Sequence, residues 1–160
     1  MRAHIVTAVF MVGFVSGVLV AAQKPEAAAL PTERVAGIGG VFFKARDPKA
    51  LGAWYRDKLG VPLQSGGEFA VFFWREREEQ ARLGTTVWSL FPSDTRYFGP
   101  GSSSVMVNYR VQNLDRMLAQ LRGLGVKIDP KVTDDFNGKF AWAFDPEGNK
   151  IELWEPKAGF

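Results

Sequence analysis

Few groups in this chain could carry out covalent or proton-transfer chemistry. Cysteine is absent and histidine occurs once, at His4. These counts exclude disulfides, zinc ribbons, CxxC redox chemistry and thiol nucleophiles. A Ser-His-Asp arrangement has no base once the N-terminal segment is set aside. The remaining groups are the 17 acidic residues, among them Glu152 in the run Ile151-Glu152-Leu153-Trp154, and polar side chains such as Lys44, Asn108 and Arg110 on strand-like stretches. In an aromatic cavity, partial burial raises the pKa of a carboxyl unless a cation compensates, which suits Glu152 to orient a ligand or act as a general base. The plainer alternative is one half of an ion pair with Lys44, Arg110 or Lys150, and both readings stand at this level. Gly37-Ile38-Gly39-Gly40 precedes a strand instead of following one, so it is no dinucleotide fingerprint. Gly101 to Ser104 lacks the lysine of a phosphate loop and reads as linker, and the charged stretch Arg75 to Arg82 reads as a solvated loop.

The elements that must hold these residues begin after an N-terminal leader. Arg2 is followed by an uncharged apolar run from Ile5 to Ala22 that ends in Val20-Ala21-Ala22. This is the pattern of a secretory signal over residues 1–22, cleaved after Ala22. It implies an exported protein, periplasmic or extracellular; an uncleaved anchor over residues 5–22 is the alternative, and only then would a membrane be a partner. Cleavage removes both Arg2 and His4, so the 20 basic residues become 19 against 17 acidic ones, and the formal charge falls from +3 to +2. So even a balance gives no electrostatic case for nucleic-acid binding. Residues 23–35, with Pro25 and Pro31, read as a flexible tether.

A repeat organises the rest, with module one at 36–92, a linker at 93–104 and module two at 105–156. In the first module, Asp47 is placed to cap a helix with Pro48 at its first position. Leu51, Trp54, Tyr55 and Leu59 follow at helical spacing, and Gly60 stands at the end. In the second, Asn113 caps, Leu114, Met117, Leu118, Leu121 and Leu124 form the apolar stripe, and Gly125 ends it. The strands expected after the helices are Glu68 to Trp74 and Thr85 to Leu90 in one half, Phe140 to Phe144 and Lys150 to Trp154 in the other. Asn137-Gly138 is a hairpin signal, and Asp145 to Asn149 is a turn. Aligning Gly84 with Gly148 sets Trp88 on Glu152. Each module thus reads as β-α-β-β-β, an α+β chain.

The runs FFKARDPKALGAWYRDKLGV (from Phe42) and FDPEGNKIELWEP (from Phe144) resemble the vicinal oxygen chelate superfamily. That group includes glyoxalase I, bleomycin-resistance proteins, fosfomycin-resistance enzymes and extradiol dioxygenases. The resemblance covers about Val35 to Pro156. It implies two βαβββ modules whose mixed sheets curve into a cup, with helices on the convex side and ligands inside. Strand alternation then turns Phe42, Lys44, Met106, Asn108, Arg110, Glu152 and Trp154 into the cup, with Gly40 and Lys150, while Val41, Phe43 and Ala45 pack on the first helix. Trp88 and Phe42 are expected to flank Glu152.

In metal-dependent members, four inward positions supply ligands, and carried over here these are Gly40, Trp88, Met106 and Glu152. Gly offers no side chain, Trp only an N–H donor, and Met sulfur is too soft for Mg²⁺, Mn²⁺ or Ni²⁺. One carboxylate remains, where a cation normally needs three or more protein ligands. The expectation is therefore no metal and no cofactor. The expected activity is binding of a small-molecule ligand in an aromatic-lined cup, as bleomycin-resistance proteins hold their drug. Two alternatives stay open. One is an enzyme, either a glyoxalase-like lyase or isomerase or metal-independent chemistry through Glu152. The other is a degenerate cup serving as an interaction protein at the cell envelope. Pairing of chains into a homodimer is left undecided, and Tyr97 and Phe98 either close over the cup or pack on its rim.

Overall fold

Caps bound both helices of the computed structural model, which describes residues 32–75 and 83–160; Leu114, Met117 and Leu118 of the apolar stripe are buried in the second helix, whereas Leu51, Trp54 and Leu59 of the first are exposed. The elements run β1 (Val35–Ala45), α1 (Pro48–Leu59), β2 (Phe69–Arg75), β3 (Leu83–Pro92), β4 (Val105–Val111), α2 (Leu114–Gly123), β5 (Ile128–Asp135), β6 (Gly138–Phe144) and β7 (Lys150–Pro156). All lie in one compact unit. The leader at 1–22, most of the tether and the charged loop beyond Arg75 fall outside the described residues. Thr32 and Glu33 close the tether segment and lie against α2. There the Gln120 side chain exchanges hydrogen bonds with the Glu33 backbone, and Arg116 pairs with the Glu33 carboxylate at 2.8 Å. Among the described residues, no helix is long and apolar enough to cross a membrane.

At the head of α1 the Asp47 carboxylate accepts from the Ala50 N–H at 2.9 Å. Asn113 does the same for Arg116 at the head of α2, and such a cap contributes about 1 kcal/mol. A second free N–H of α2, that of Leu114, is taken up by Glu155 of β7 at 2.6 Å. Gly60 ends α1 in the left-handed conformation, φ +68°, which glycine adopts without steric cost.

The seven strands form one mixed sheet in the order β2-β3-β1-β4-β7-β6-β5. β1 and β4 meet antiparallel at the centre. Each has a parallel neighbour outside it, β3 beside β1 and β7 beside β4, so the halves are related by an approximate two-fold. α1 packs on β1 and β3, and α2 on β5, β6 and β7. Beneath α2 the core gathers Leu114, Met117 and Leu118 against Val111, Ala141 and Leu153. On the opposite face a second cluster joins Phe42, Phe98, Met106 and Trp142. The sheet thus has a helix side and a cup side, the α+β arrangement expected.

Module one departs from the expected βαβββ pattern. Where module two has β5, it keeps only an isolated bridge between Leu63 and Ala70. Pro62 has no N–H to offer a ladder, and Gly66 and Gly67 turn the chain at positive φ just beyond. The β5–β6 loop is Phe136-Asn137, one residue before the expected pair, because Gly138 already pairs with Asp135 and Pro156.

Gly52 marks the closest approach of α1 to the following loop, since a Cβ there would lie 2.0 Å from the Gly67 carbonyl oxygen. Gly52→Ala gains at most ~1 kcal/mol of helix propensity. Displacing a packed backbone costs about 1–3 kcal/mol. The net change is expected to be destabilising, seen as a lower urea midpoint. An unchanged or raised midpoint would show that helix and loop separate freely.

Candidate functional site

Glu152 lies at the floor of the cup, 2% exposed, with both carboxylate oxygens engaged. Parallel pairing of β4 with β7 sets Asn108 directly opposite it, and antiparallel pairing of β6 with β7 sets Trp142 on its other side. The Asn108 amide donates to Oε1 at 2.6 Å and the Trp142 indole donates to Oε2 at 2.8 Å. The third donor is the Tyr97 hydroxyl, also to Oε2, which comes from the connection between β3 and β4. Tyr97 is held by a parallel stack on Phe91, ring centres 5.3 Å apart, and by an edge contact with Trp142. Phe98, its neighbour, is buried beside Phe91. The connection therefore closes the site.

Burial pushes the Glu152 carboxyl above its ordinary value. The hydrogen bonds from Tyr97, Asn108 and Trp142, and then the charge of Lys150, act in the opposite sense without reversing the shift. Burial, followed by the neighbouring Glu152 charge, also raises the Tyr97 phenol far above its usual range, so it stays a donor throughout the working pH range. The ion-pair alternative does not describe Lys150, whose ammonium pairs with Asp129 at 3.2 Å and lies over the Trp142 ring. Lys44 sits over Phe98 and Arg110 over Trp74.

Above this floor is a cavity of about 520 Å³. One wall is Phe69, Val71 and Phe73 of β2 with Val87, Ser89 and Phe91 of β3; the other is Phe140 and Trp154, whose rings stack at 6.0 Å. Phe136 and Phe160 meet edge to face at its margin. Of the residues expected in the cup, Phe42, Asn108, Glu152 and Trp154 line the cavity. Met106 is buried in the core under it, and Lys44 and Arg110 lie outside the lining.

Trp88 corrects the sequence expectation. Its ring packs against Phe43 and against Tyr55 of α1, on the helix side of the sheet. Val87 and Ser89 take the cup side in its place. A one-residue slip of register reverses every side chain of a strand, and aligning Gly84 with Gly148 introduced that slip. In the observed register Phe42 stands opposite Ser89 as Asn108 stands opposite Glu152, so the second half supplies the acid and the first half has a hydroxyl. Trp142 and Tyr97 escaped the sequence reading as Glu152 partners. Alternation along Phe140 to Phe144 carries the signal for Trp142. No periodicity reports on Tyr97, which lies in an irregular connection.

Among the described residues, no group of three or more His, Cys, Asp or Glu side chains is placed to hold a metal ion. The family ligand positions do not fit one here either. Gly40 and Met106 bring no hard donor, Ser89, which takes the place expected of Trp88, brings only a neutral hydroxyl, and both Glu152 oxygens already accept from N–H and O–H groups.

Two predictions follow from this geometry. An acid whose pKa is raised by folding binds its proton more tightly in the folded state. Its contribution to stability is therefore present at low pH and is lost as pH rises through the folded pKa. Subtracting the stability of Glu152→Gln from that of the wild type at each pH, by urea titration, should give a difference that becomes less favourable to the wild type from pH 4 to pH 8. A flat or rising difference would contradict the burial account. Separately, a Cβ on Gly39 would lie 2.2 Å from Asn108 Oδ1 and 2.7 Å from the Trp154 ring, so Gly39→Ala is expected to lower stability by about 1–3 kcal/mol. Thermal unfolding equal to that of the wild type would refute this.

Comparison with known proteins agrees with the architecture. Residues 40–154 match the family model of the glyoxalase-like domain. A methylmalonyl-CoA epimerase from Mycobacterium tuberculosis is 20% identical, with 81% of this chain and 94% of that chain covered at a TM-score of 0.50. A Streptomyces coelicolor methylmalonyl-CoA epimerase variant in complex with 2-nitronate-propionyl-CoA is 15% identical, with 78% and 100% covered at 0.56. An extradiol ring-cleaving dioxygenase from B. fuscum is 18% identical, covering 81% of this chain and 35% of that one at 0.50. At these identities the likeness is one of fold. No curated protein matches the chain in sequence. With the family match spanning nearly the whole sheet, the chain belongs to the glyoxalase-like domain family of the vicinal oxygen chelate superfamily.

Proposed function

We propose that this protein is a metal-independent binding module that encloses a small, mainly apolar or aromatic molecule in its cup, with Glu152 as the polar anchor. The observation that carries this reading is the 520 Å³ cavity, walled by aromatic rings over a single buried carboxylate. Small-molecule sites typically combine apolar walls with a few fixed polar groups. Metal independence rests on the donor chemistry: one carboxylate, both of whose oxygens already accept from protein donors, stands where a divalent ion would need several hard ligands. The apolar leader at 1–22 suits an exported protein working outside the cytoplasm.

Catalysis by Glu152 as a base is a second reading, favoured by its raised pKa. The three donors weigh against it, since hydrogen bonds to the charged carboxylate weaken it as a proton acceptor. The coenzyme A esters held by the epimerases are a poor fit to this lining. Its described residues include no Lys or Arg to meet the phosphates.

The test uses N-phenyl-1-naphthylamine, a neutral fluorescent aromatic compound small enough for the cavity. Saturable binding of one equivalent is expected, unaffected by EDTA. Val87→Trp, which fills the cavity from β3, should weaken binding at least tenfold while circular dichroism still shows the native fold. Undiminished binding in that variant, or no binding to the wild type, would overturn the cup as a ligand site. Elemental analysis of protein purified without chelators should find no stoichiometric transition metal; finding one would overturn metal independence.

A further inference from the structure

Resting on the cup as a ligand site, we infer that its ligand is an organic cation, an amine carried on an aromatic or apolar body. Among the described lining residues Glu152 is the one carboxylic acid, and none is Lys or Arg. The Asn108 and Trp142 N–H groups and the Tyr97 hydroxyl donate to its oxygens and favour the charged form against the burial that opposes it, and a bound cation would tip that balance to the carboxylate. The nearby ammonium of Lys150 is committed to Asp129 and to the Trp142 ring, and Lys44 lies over Phe98. A ligand of positive charge would therefore bring the countercharge that the cavity itself does not present. Charge interactions are strong at such a site because water is excluded and the effective dielectric is low.

The walls agree with the floor. Phe42, Phe91, Tyr97, Phe140 and Trp154 line the cavity, the last four in two stacked pairs, Phe91 on Tyr97 and Phe140 on Trp154. Aromatic faces carry negative electrostatic potential and attract ammonium groups, most of all where both are desolvated. An anionic ligand meets the opposite conditions on every side. A neutral one fills the volume but gains nothing from the carboxylate. Apolar area alone would not discriminate among the three, whereas the charge at the floor does.

Three probes of one shape separate these cases: 1-naphthylmethylammonium, 1-naphthylmethanol and 1-naphthoate, each titrated at pH 7 and low salt by displacement of N-phenyl-1-naphthylamine. The ammonium is expected to bind at least tenfold more tightly than either of the others, and Glu152→Gln should reduce that preference to within about threefold. Equal or tighter binding of the alcohol or the carboxylate to the wild type would overturn the inference and leave the cup as a ligand site. A preference that persists in Glu152→Gln would overturn the role given to Glu152. If neither the three probes nor N-phenyl-1-naphthylamine bind the wild type, the ligand-site reading falls and this inference with it. Should Glu152→Gln not fold, the wild-type ratios alone decide.

Discussion

Burying a carboxylate 2% exposed under a layer of aromatic rings is the constraint around which this domain is arranged. A charge taken out of water costs several kcal/mol unless hydrogen bonds replace its hydration. Here the replacements come from three separate places in the chain: Asn108 on β4, Trp142 on β6 and Tyr97 in the connection between modules. All three must be in position together, so the pairing of β4 and β6 with β7 and the path of the connection are tied to a single group. Around Asn108 the tolerance is narrow. Its Oδ1 lies directly beneath Gly39, where any side chain would intrude.

The approximate two-fold between the halves makes the difference between them informative. The same inward pair is Asn108 and Glu152 in one module and Phe42 and Ser89 in the other. One half of the cup therefore has an acidic floor and the other a phenyl ring beside a neutral hydroxyl, which gives the cavity a direction. A ligand with a polar end and an apolar body matches that polarity, and a symmetric site built to grip an ion between the halves would not have it. The missing strand of module one and the aromatic β2 wall belong to the same half as Phe42 and Ser89.

Much of the framework follows from local rules. Asp47, Pro48 and Gly60 bound α1, and Asn113 and Gly125 bound α2, because caps and left-handed turns depend on neighbours within one turn of chain. Alternation along β4 and β7 was enough to set Asn108 and Glu152 on one face, since successive side chains of a strand must point to opposite sides. Trp142 obeyed the same rule on β6 and was open to the same argument.

Register and reach were decided only by the tertiary structure. Whether Trp88 enters the cup or faces α1 depends on a one-residue offset across loops of unequal length, and the pairing of β3 with β1 settles it in favour of the helix side. Tyr97 reaches Glu152 from a connection with no periodic pattern, held there by stacking on Phe91 rather than by any local preference. Residue types and spacing by themselves established two helix-strand modules, the absence of histidine from all of the chain after His4, and an inward acid on the last strand. The surroundings of that acid were set by contacts between residues far apart in the chain, because a hydrogen bond to a buried group depends on where two segments meet in space and not on how far apart they lie in sequence.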